Sequence, residues 1–367
     1  MTQGCIGFGA ALPHNDRVSL SRSPLLSRGR TRRLARSATW MTAVLAVSLA
    51  ACGGDEESNA DPEGASPTNT VSAVSLNGEW PLTGRELDGV RPDHPVYVVK
   101  IDNTQSSAPQ VGLDSADMVV EELVEGGLTR LAVFYHEEAP KMVGPVRSMR
   151  ASDIGIVKPV SASLVASGAS PRTTARISGA KIPTVREDAT RFYRDASRSA
   201  PHNLFVELSK VAAELGKDWD APQHPYLPFG DEDDFEGDIS AASITAMFSG
   251  GHTTRWEYAG GEWQRADSLS ERGKDFEPAN ILLLRVKTRD AGYLDPAGNP
   301  VPETVFSGTG GAALVHGDKA VRCVWSKRFL GSSLELRTEN GDPVTVPAGH
   351  TWIELVPVDG GRVTLGR

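Results

Sequence analysis

The sequence predicts a mixed α+β protein. An N-terminal α/β domain over residues 76–230 is followed by a smaller all-β domain, a barrel or sandwich, over 239–367. Three observations carry that expectation. Between about Leu76 and Asp220, short β-branched runs alternate with segments of helical spacing. From Ile239 onward only strand-length runs remain, separated by Gly-, Asn- and Asp-rich turns. The chain's 367 residues give room for about two domains. With 39% hydrophobic and 23% charged residues, 37 Gly and 24 Pro, the composition is globular and turn-rich, which excludes collagen-like and broadly disordered chains.

The N-terminal segment reads as an address. Arg28 to Arg36 carries five arginines, and Ser37 to Ser48 is an apolar stretch of signal-peptide length. Leu49-Ala50-Ala51-Cys52-Gly53-Gly54 then resembles a bacterial lipobox, in which the cysteine becomes the lipidated N-terminus. Residues 1–51 are therefore read as a signal peptide and 52–75 as a tether, since Gly53 to Ser75 is acidic, rich in Ser, Pro and Gly, and poor in large apolar groups. Diacylation at Cys52 supplies two-chain anchoring. The expected location is extracytoplasmic, on the cell membrane. Elsewhere no apolar run approaches the ~18 residues of a spanning helix. Residues 1–51 carry a net charge of +6 and the remainder −15. So acidic a chain is ill suited to general nucleic-acid binding, which depends on neutralising phosphates. The cysteines, Cys5, Cys52 and Cys323, form neither a disulfide framework nor a zinc pattern, and Cys323 reads as a small buried hydrophobe.

Within the first domain Val96 to Ile101 reads as a strand, and Ala116–Val124 and Leu128–His136 as a hairpin about Glu125-Gly126-Gly127. Ser161–Ala166 reads as a further strand, and a helix is expected to begin at Asp153. Asn203, with His202 before it, is placed to cap a helix from Leu204 to Leu215. The acidic run Asp231 to Asp238 misses the EF-hand register and reads as an interdomain loop. Strands are expected around Arg255–Tyr258, Gly261–Arg265, Asn280–Val286, Ala312–His316, Val321–Trp325, Leu334–Arg337 and Thr351–Val356. Gly308-Thr309-Gly310-Gly311 follows a strand but precedes no helix, so it reads as a turn or bulge rather than a dinucleotide loop.

No Gly-x-Ser-x-Gly, His-Glu-x-x-His, Cys-x-x-Cys or P-loop pattern occurs. What stands out is a basic island. Residues 130–200 carry twelve bases against six acids, leaving −21 for the rest of the chain beyond residue 51. Arginine grips phosphate and carboxylate in two-pronged fashion, so Arg130, Arg147, Arg150, Arg194 and Arg198, with His202, form a candidate anion site. Asp102, Glu121, Glu125 and Asp195 are its supporting acids. The plain alternative is a set of surface ion pairs. Paired carboxylates at Glu121, Glu122 and Glu125 also admit general acid–base chemistry. No metal site is expected, and no cofactor.

Several of these stretches resemble the YerB-type family, bacterial chains assigned as lipoproteins and built from an N-terminal and a C-terminal domain of unknown function. The resemblance is carried by Lys100-Ile101-Asp102-Asn103, Pro109 to Leu113, Glu121 to Arg130, Gly144-Pro145-Val146-Arg147-Ser148, Ser167-Gly168 and Arg194 to Leu204, and later by Asn280, Gly308-Thr309-Gly310, Trp325 and Gly349 to Ile353. It covers residues 80 to 358 and implies a membrane-tethered envelope protein without an established reaction. Ser268 to Asp275 departs from the family's Pro-His-x-Asp type segment, so no ligand role carries over there. Arg147-Ser148-x-Arg150 is also similar to a region of LytR-CpsA-Psr phosphotransferases. That similarity implies Arg147, Arg150, Arg194 and Arg198 on a polyprenyl pyrophosphate, with Asp102 or Asp195 helping to hold Mg2+. Three functions follow: binding an anionic envelope ligand or an envelope protein; that phosphotransfer; or a non-catalytic scaffold. The first is the leading expectation, and the chain is read as leaning away from an enzyme.

Overall fold

Alternating apolar residues in the middle of the chain, and a second set near its end, pair into one large sheet. The computed structural model describes residues 78–89, 92, 94–215 and 222–367. The signal peptide, Cys5, Cys52 and the tether lie outside the described residues. The first half contributes β1 (Tyr97–Asp102), β2 (Met118–Leu123), β3 (Thr129–Tyr135), α1 (Asp153–Val157), β4 (Ser163–Ala166), α2 (Pro171–Gly179), β5 (Thr184–Arg186), β6 (Phe192–Arg194), β7 (Leu204–Val206) and α3 (Leu208–Leu215). The second begins with β8 (Phe229–Gly230), β9 (Ile239–Ser240), β10 (Ser243–Met247), β11 (Thr253–Ala259), β12 (Glu262–Arg265) and β13 (Asn280–Leu294). It ends with β14 (Pro300–Val305), β15 (Gly308–His316), β16 (Lys319–Lys327), β17 (Glu335–Arg337), β18 (Val346–Pro347), β19 (Thr351–Pro357) and β20 (Arg362–Gly366).

Twelve strands make the main sheet, in the order β17-β16-β15-β13-β19-β2-β3-β1-β4-β5, with β14 on β13 and β9 on β16. The junction between the halves is a parallel pairing of β19 with β2, Thr351 opposite Met118 through Leu355 opposite Glu122. The strands after Ile239 therefore do not close into a barrel. β13, β15, β16, β17 and β19 extend the first half's sheet, while β12-β11-β10-β20 form a separate four-stranded sheet. The architecture is mostly β, with mixed parallel and antiparallel pairing.

Strand alternation sorts side chains onto two faces. Val99, Ile101, Val119, Leu131, Val133 and Trp352 pack against Ile244, Ala246, Trp256 and Trp263 of the four-stranded sheet. The rings of Trp256 and Trp352 meet edge to face at 5.1 Å, a preferred aromatic geometry. On the opposite face Val98, Val120, Ala132, Phe134 and Leu164 pack against Ile154, Ile156 and Val157 of α1 and Ile177 of α2. Each Val, Leu, Ile or Phe side chain so removed from water contributes roughly 1.5–3 kcal/mol. The start of α2 follows from Ser170-Pro171: the serine hydroxyl accepts from the Thr173 N–H, and proline occupies the first helical position.

Most sequence expectations for the strands hold, with two corrections. Leu204–Val206 is strand β7, and α3 begins only at Leu208. Antiparallel pairing with β6 (Phe192 opposite Val206) outweighs the helical spacing of these residues, so His202 and Asn203 sit in a hairpin loop and cap no helix. Gly308 to Gly311 likewise belongs to β15 and is no turn. A Cβ on Gly310 would lie 2.4 Å from the Arg285 carbonyl oxygen and 2.5 Å from the Trp325 indole nitrogen. The glycine admits the close approach through which Trp325 donates to that same carbonyl at 3.0 Å. Cys323 is buried as expected, and burial pushes its thiol up to about 12.

Gly310→Ala is therefore expected to destabilise the protein by about 1–3 kcal/mol, the usual cost of overpacking. Denaturant unfolding checks this, and a variant of unchanged stability contradicts the close packing at β15.

Candidate functional site

Two polar clusters meet at the end of β1, one built around Asp102 and the other around Asn103. The first is assembled by the loop after β3. Val146 bridges to Ile101, the Arg147 N–H donates to the Lys100 carbonyl, and the Asp102 N–H donates to the Pro145 carbonyl. The segment 145–147 thus runs along the end of β1, bringing Arg147 and Arg150 to Arg130 on β3. Asp102 and Arg130 are directly opposed across the β1–β3 ladder.

Glu125 is the hub of the arginines. Its turn is made possible by Gly126 and Gly127, both left-handed at φ 70° and 73°. Arg130 donates to its Oε1 at 2.8 Å, and Arg150 donates Nε to its Oε2 at 2.8 Å and a second N–H to Oε1. Burial alone would raise the Glu125 carboxyl, but the Arg150 and Arg130 guanidiniums hold it down to about 2. Burial, and then repulsion from Arg150, pulls Arg130 down to about 10, still charged at neutral pH.

Arg147 is the most open of the three. It lies 3.5 Å from Asp102 and donates to the Pro201 carbonyl at 3.1 Å. His202 joins the same carboxylate, its Nδ1 2.6 Å from Asp102 Oδ2. The side chains of Arg147 and His202 are 21% and 23% exposed, while that of Asp102 is buried, so the cluster opens to solvent through these two groups. Ser148 and Ser167 bring two hydroxyls together at 3.2 Å. Three guanidiniums here face two carboxylates, Glu125 and Asp102.

Arg194 and Arg198 serve differently. Arg194 is held by Glu187 and by Asn203 Oδ1 at 2.9 Å. Arg198 pairs with Asp195, donates to the carbonyls of Ser107 and Pro109, and lies over the Phe205 ring. Both clamp the hairpin loop that carries His202. Asp195 also accepts from the N–H and hydroxyl of Ser197, closing its own turn.

Glu121 lies apart from the arginines. Alternation along β2 sends it to the face of the four-stranded sheet, where it accepts from Asn103 at 3.0 Å and Thr254 at 2.9 Å and meets His252 Nε2 at 2.8 Å. Beside it on β19 is Glu354, paired in register and bonded by the Trp256 indole at 2.9 Å. Burial, and then the Glu121 charge, drives the Glu354 carboxyl well up, so Glu354 carries the proton of this pair. Glu121 is held below its ordinary value: burial opposes ionisation, but His252 outweighs it. In turn Glu121 raises His252 against the pull of burial. Glu122 points to the other face, where Lys100 reaches both it and Asp153 at 2.8 Å. All three are fully buried. Burial raises Glu122 despite Lys100, because Asp153 competes for the one ammonium. The carboxylates that share a stretch of sequence thus divide among three environments.

Sequence reasoning missed His252, Glu354 and Lys100 as a buried ion-pair centre. Charged residues inside otherwise apolar strands, as in Trp352-Ile353-Glu354-Leu355 and Met118 to Leu123, were the available signal. Among the described residues no group of three or more His, Cys, Asp or Glu side chains is arranged to hold a metal, and no helix is long and apolar enough to cross a membrane.

The fold is mostly β and two-faced, with an arginine–carboxylate cluster at the end of its central strands. Comparison with known proteins identifies the family. Residues 82–220 match the N-terminal domain, and 244–353 the C-terminal domain, of "Protein of unknown function (DUF3048)". The chain belongs to this family. It is 26% identical over 305 residues to "Putative lipoprotein YerB" of Bacillus subtilis (strain 168), spanning 78% of this chain and 88% of that one. The crystal structure of the YerB protein from Bacillus subtilis superposes with a TM-score of 0.64 at 22% identity, over 78% of this chain and 99% of that one. The YerB-type resemblance read from the motifs is thereby shown, and the solved structure has the same fold.

Two predictions follow from these charges. Glu125 has its carboxyl depressed in the folded state, so it stabilises the fold above its unfolded value, near 4.5, and loses that contribution as pH falls toward 2. Glu125→Gln is expected to cost about 3 kcal/mol at pH 7. The gap from the wild type should narrow steadily in unfolding measurements below about pH 4.5. His252 behaves oppositely. Its raised value gives stability that is full below about pH 6.5 and fades as pH rises through the folded value. An NMR titration should place the His252 midpoint above 6.5 and return it toward 6.5 in Glu121→Gln.

Proposed function

We propose that the chain is an extracytoplasmic, lipid-anchored protein that binds an anionic cell-envelope ligand at Arg130, Arg147, Arg150 and His202. One observation carries this reading: Arg147 and His202 present donors to solvent from a cluster in which guanidiniums outnumber carboxylates. A phosphate or carboxylate at that opening would complete the charge balance and accept bidentate hydrogen bonds from Arg147. A scaffold role accounts for Arg194 and Arg198, which are spent on the protein itself, but leaves the opening at Arg147 without a purpose. The lipoprotein name of the Bacillus subtilis relative and the lipobox at Cys52 support the location.

A phosphotransferase is favoured by a single feature, the 2.6 Å Asp102–His202 pair. Its carboxylate orients the imidazole, and His202 Nε2 makes no hydrogen bond among the described residues. That arrangement suits proton transfer. It suits magnesium poorly, because Asp102 Oδ2 already faces two cationic or donor groups and Asp195 closes its own turn.

The test uses residues 69–367, which form one compact unit, and 78% of this chain accounts for 99% of the solved relative. Thermal unfolding is followed with polyprenyl phosphates, phospholipid head groups and wall-polymer fragments, each with and without magnesium. A ligand at ~100 times its Kd is expected to stabilise by about 2.7 kcal/mol, and Arg147→Ala should abolish the shift. No shift with any anion, or one that survives in Arg147→Ala, overturns the anion site. Magnesium dependence would favour phosphotransfer.

A further inference from the structure

β16 ends at Lys327, whose side chain turns inward and is almost fully buried. Its ammonium donates to the carbonyls of Phe329, Leu330 and Ser332, the Leu330 bond being 2.7 Å. The Ser332 N–H closes the turn onto the Phe329 carbonyl at 3.0 Å. With its carbonyls drawn in toward one lysine, residues 328–332 form a turn in which the Ser332 hydroxyl accepts from the Phe329 N–H and Leu330 Cδ2 lies 3.0 Å from where a Cβ on Gly155 would stand, with Phe329 left toward solvent. Phe329 is 59% exposed and Leu330 37%, and Arg328 before them is exposed as well. Among the described residues Phe329 and Leu330 are the one adjacent pair of exposed large hydrophobic side chains.

The surroundings of this tip are basic. Lys158 packs against Gly331, its Cβ 3.8 Å from where a Cβ on that glycine would stand. Lys158 also lines a cavity of about 390 Å³ together with Lys181, Ser161, Thr184 and the exposed Leu215. Cations around an apolar tip are notable in a chain that is net −15 beyond residue 51.

Location supplies the third observation. The Leu334 N–H donates to the Tyr226 carbonyl at 3.1 Å, and the Tyr226 N–H donates to the Pro81 carbonyl at 2.8 Å. Two backbone hydrogen bonds thus link Leu334, two residues past the tip, through Tyr226 to Pro81, three residues from Gly78, where the described chain begins. Residues 53–77, which lead back to Cys52, can span at most about 90 Å.

We propose that the 328–332 turn is a second membrane contact: Phe329 and Leu330 enter the interface of a bilayer while Arg328, Lys158 and Lys181 meet anionic lipid phosphates. This rests on the lipid-anchored reading, with Cys52 as the first contact. Apolar side chains entering the headgroup region beside cations are the two components of peripheral membrane binding. Anchoring at Cys52 would raise the local concentration of bilayer at the tip.

The experiment uses the 69–367 fragment, which lacks Cys52, and sedimentation with vesicles of phosphatidylcholine alone or with about a quarter phosphatidylglycerol. The wild-type fragment should sediment with the anionic vesicles. Phe329→Ser with Leu330→Ser should lower that partition by about tenfold, and Arg328→Glu with Lys158→Glu should lower it on anionic vesicles only. As a check that keeps Phe329 and Leu330 in place, Gly331→Cys, where an added Cβ meets nothing nearer than 3.5 Å, can be labelled with a polarity-sensitive dye, because Cys323 is buried. Its emission should shift to the blue on anionic vesicles. A wild-type fragment left in the supernatant, a serine variant that binds as well, or a dye that does not shift overturns the proposal. Failure of the anchor reading would show separately, as full-length chain released to the soluble fraction whether or not Cys52 is replaced by alanine.

Discussion

The parallel pairing of β19 with β2 is the constraint on which the rest depends. It joins the two halves into one sheet and puts Trp352 under Trp256, so the second sheet has something to pack on. It also sets Glu354 beside Glu121. Removing β19 would leave β2 with an unpaired backbone edge and take Trp352 and Val356 from one face of the sheet and Ile353 and Leu355 from the other. The two halves match separate domains of unknown function, yet their hydrophobic clusters run across the boundary.

Around this joint the protein allots its buried charges by strand alternation. Lys100 goes to one face and finds Glu122 and Asp153; Glu121 goes to the other and finds His252 and Asn103. Where β1 ends, at Asp102, a carboxylate meets Arg147 and His202, which open to solvent. A buried ion pair adds little net stability over apolar residues of the same size, though breaking one is costly. Such groups fix which partners sit where, and here they hold the loop 145–150 against the sheet and thereby set the spacing of Arg130, Arg147 and Arg150.

Much of the fold was legible in the sequence. The hairpin about Glu125-Gly126-Gly127 could be read because alternation is clean on both sides and the glycines mark the turn. Most second-half strands were likewise bounded by turn residues. What could not be read was which strands pair across more than two hundred residues, since nothing in the local pattern of Thr351 to Val356 names β2 as its neighbour. The helix expected from Leu204 failed for a related reason: its apolar spacing is compatible with a short strand followed by a helix, and pairing with Phe192 to Arg194 decides between them. The arginine cluster was partly legible. Charge counting found the basic island, but could not tell Arg147, which opens to solvent, from Arg194 and Arg198, which brace their own loop.

The position of β19 also bears on how the chain is made. A strand that lies in the middle of the sheet but near the end of the sequence cannot take its place until almost the whole polypeptide exists. Until then β2 presents an open edge and the sheet's faces lack their full cover, a state prone to wrong pairing. Contacts so distant along the chain also slow folding. The nascent protein must therefore spend most of its synthesis incomplete, and a chain stopped short of residue 351 would be an aggregation hazard rather than a smaller working domain.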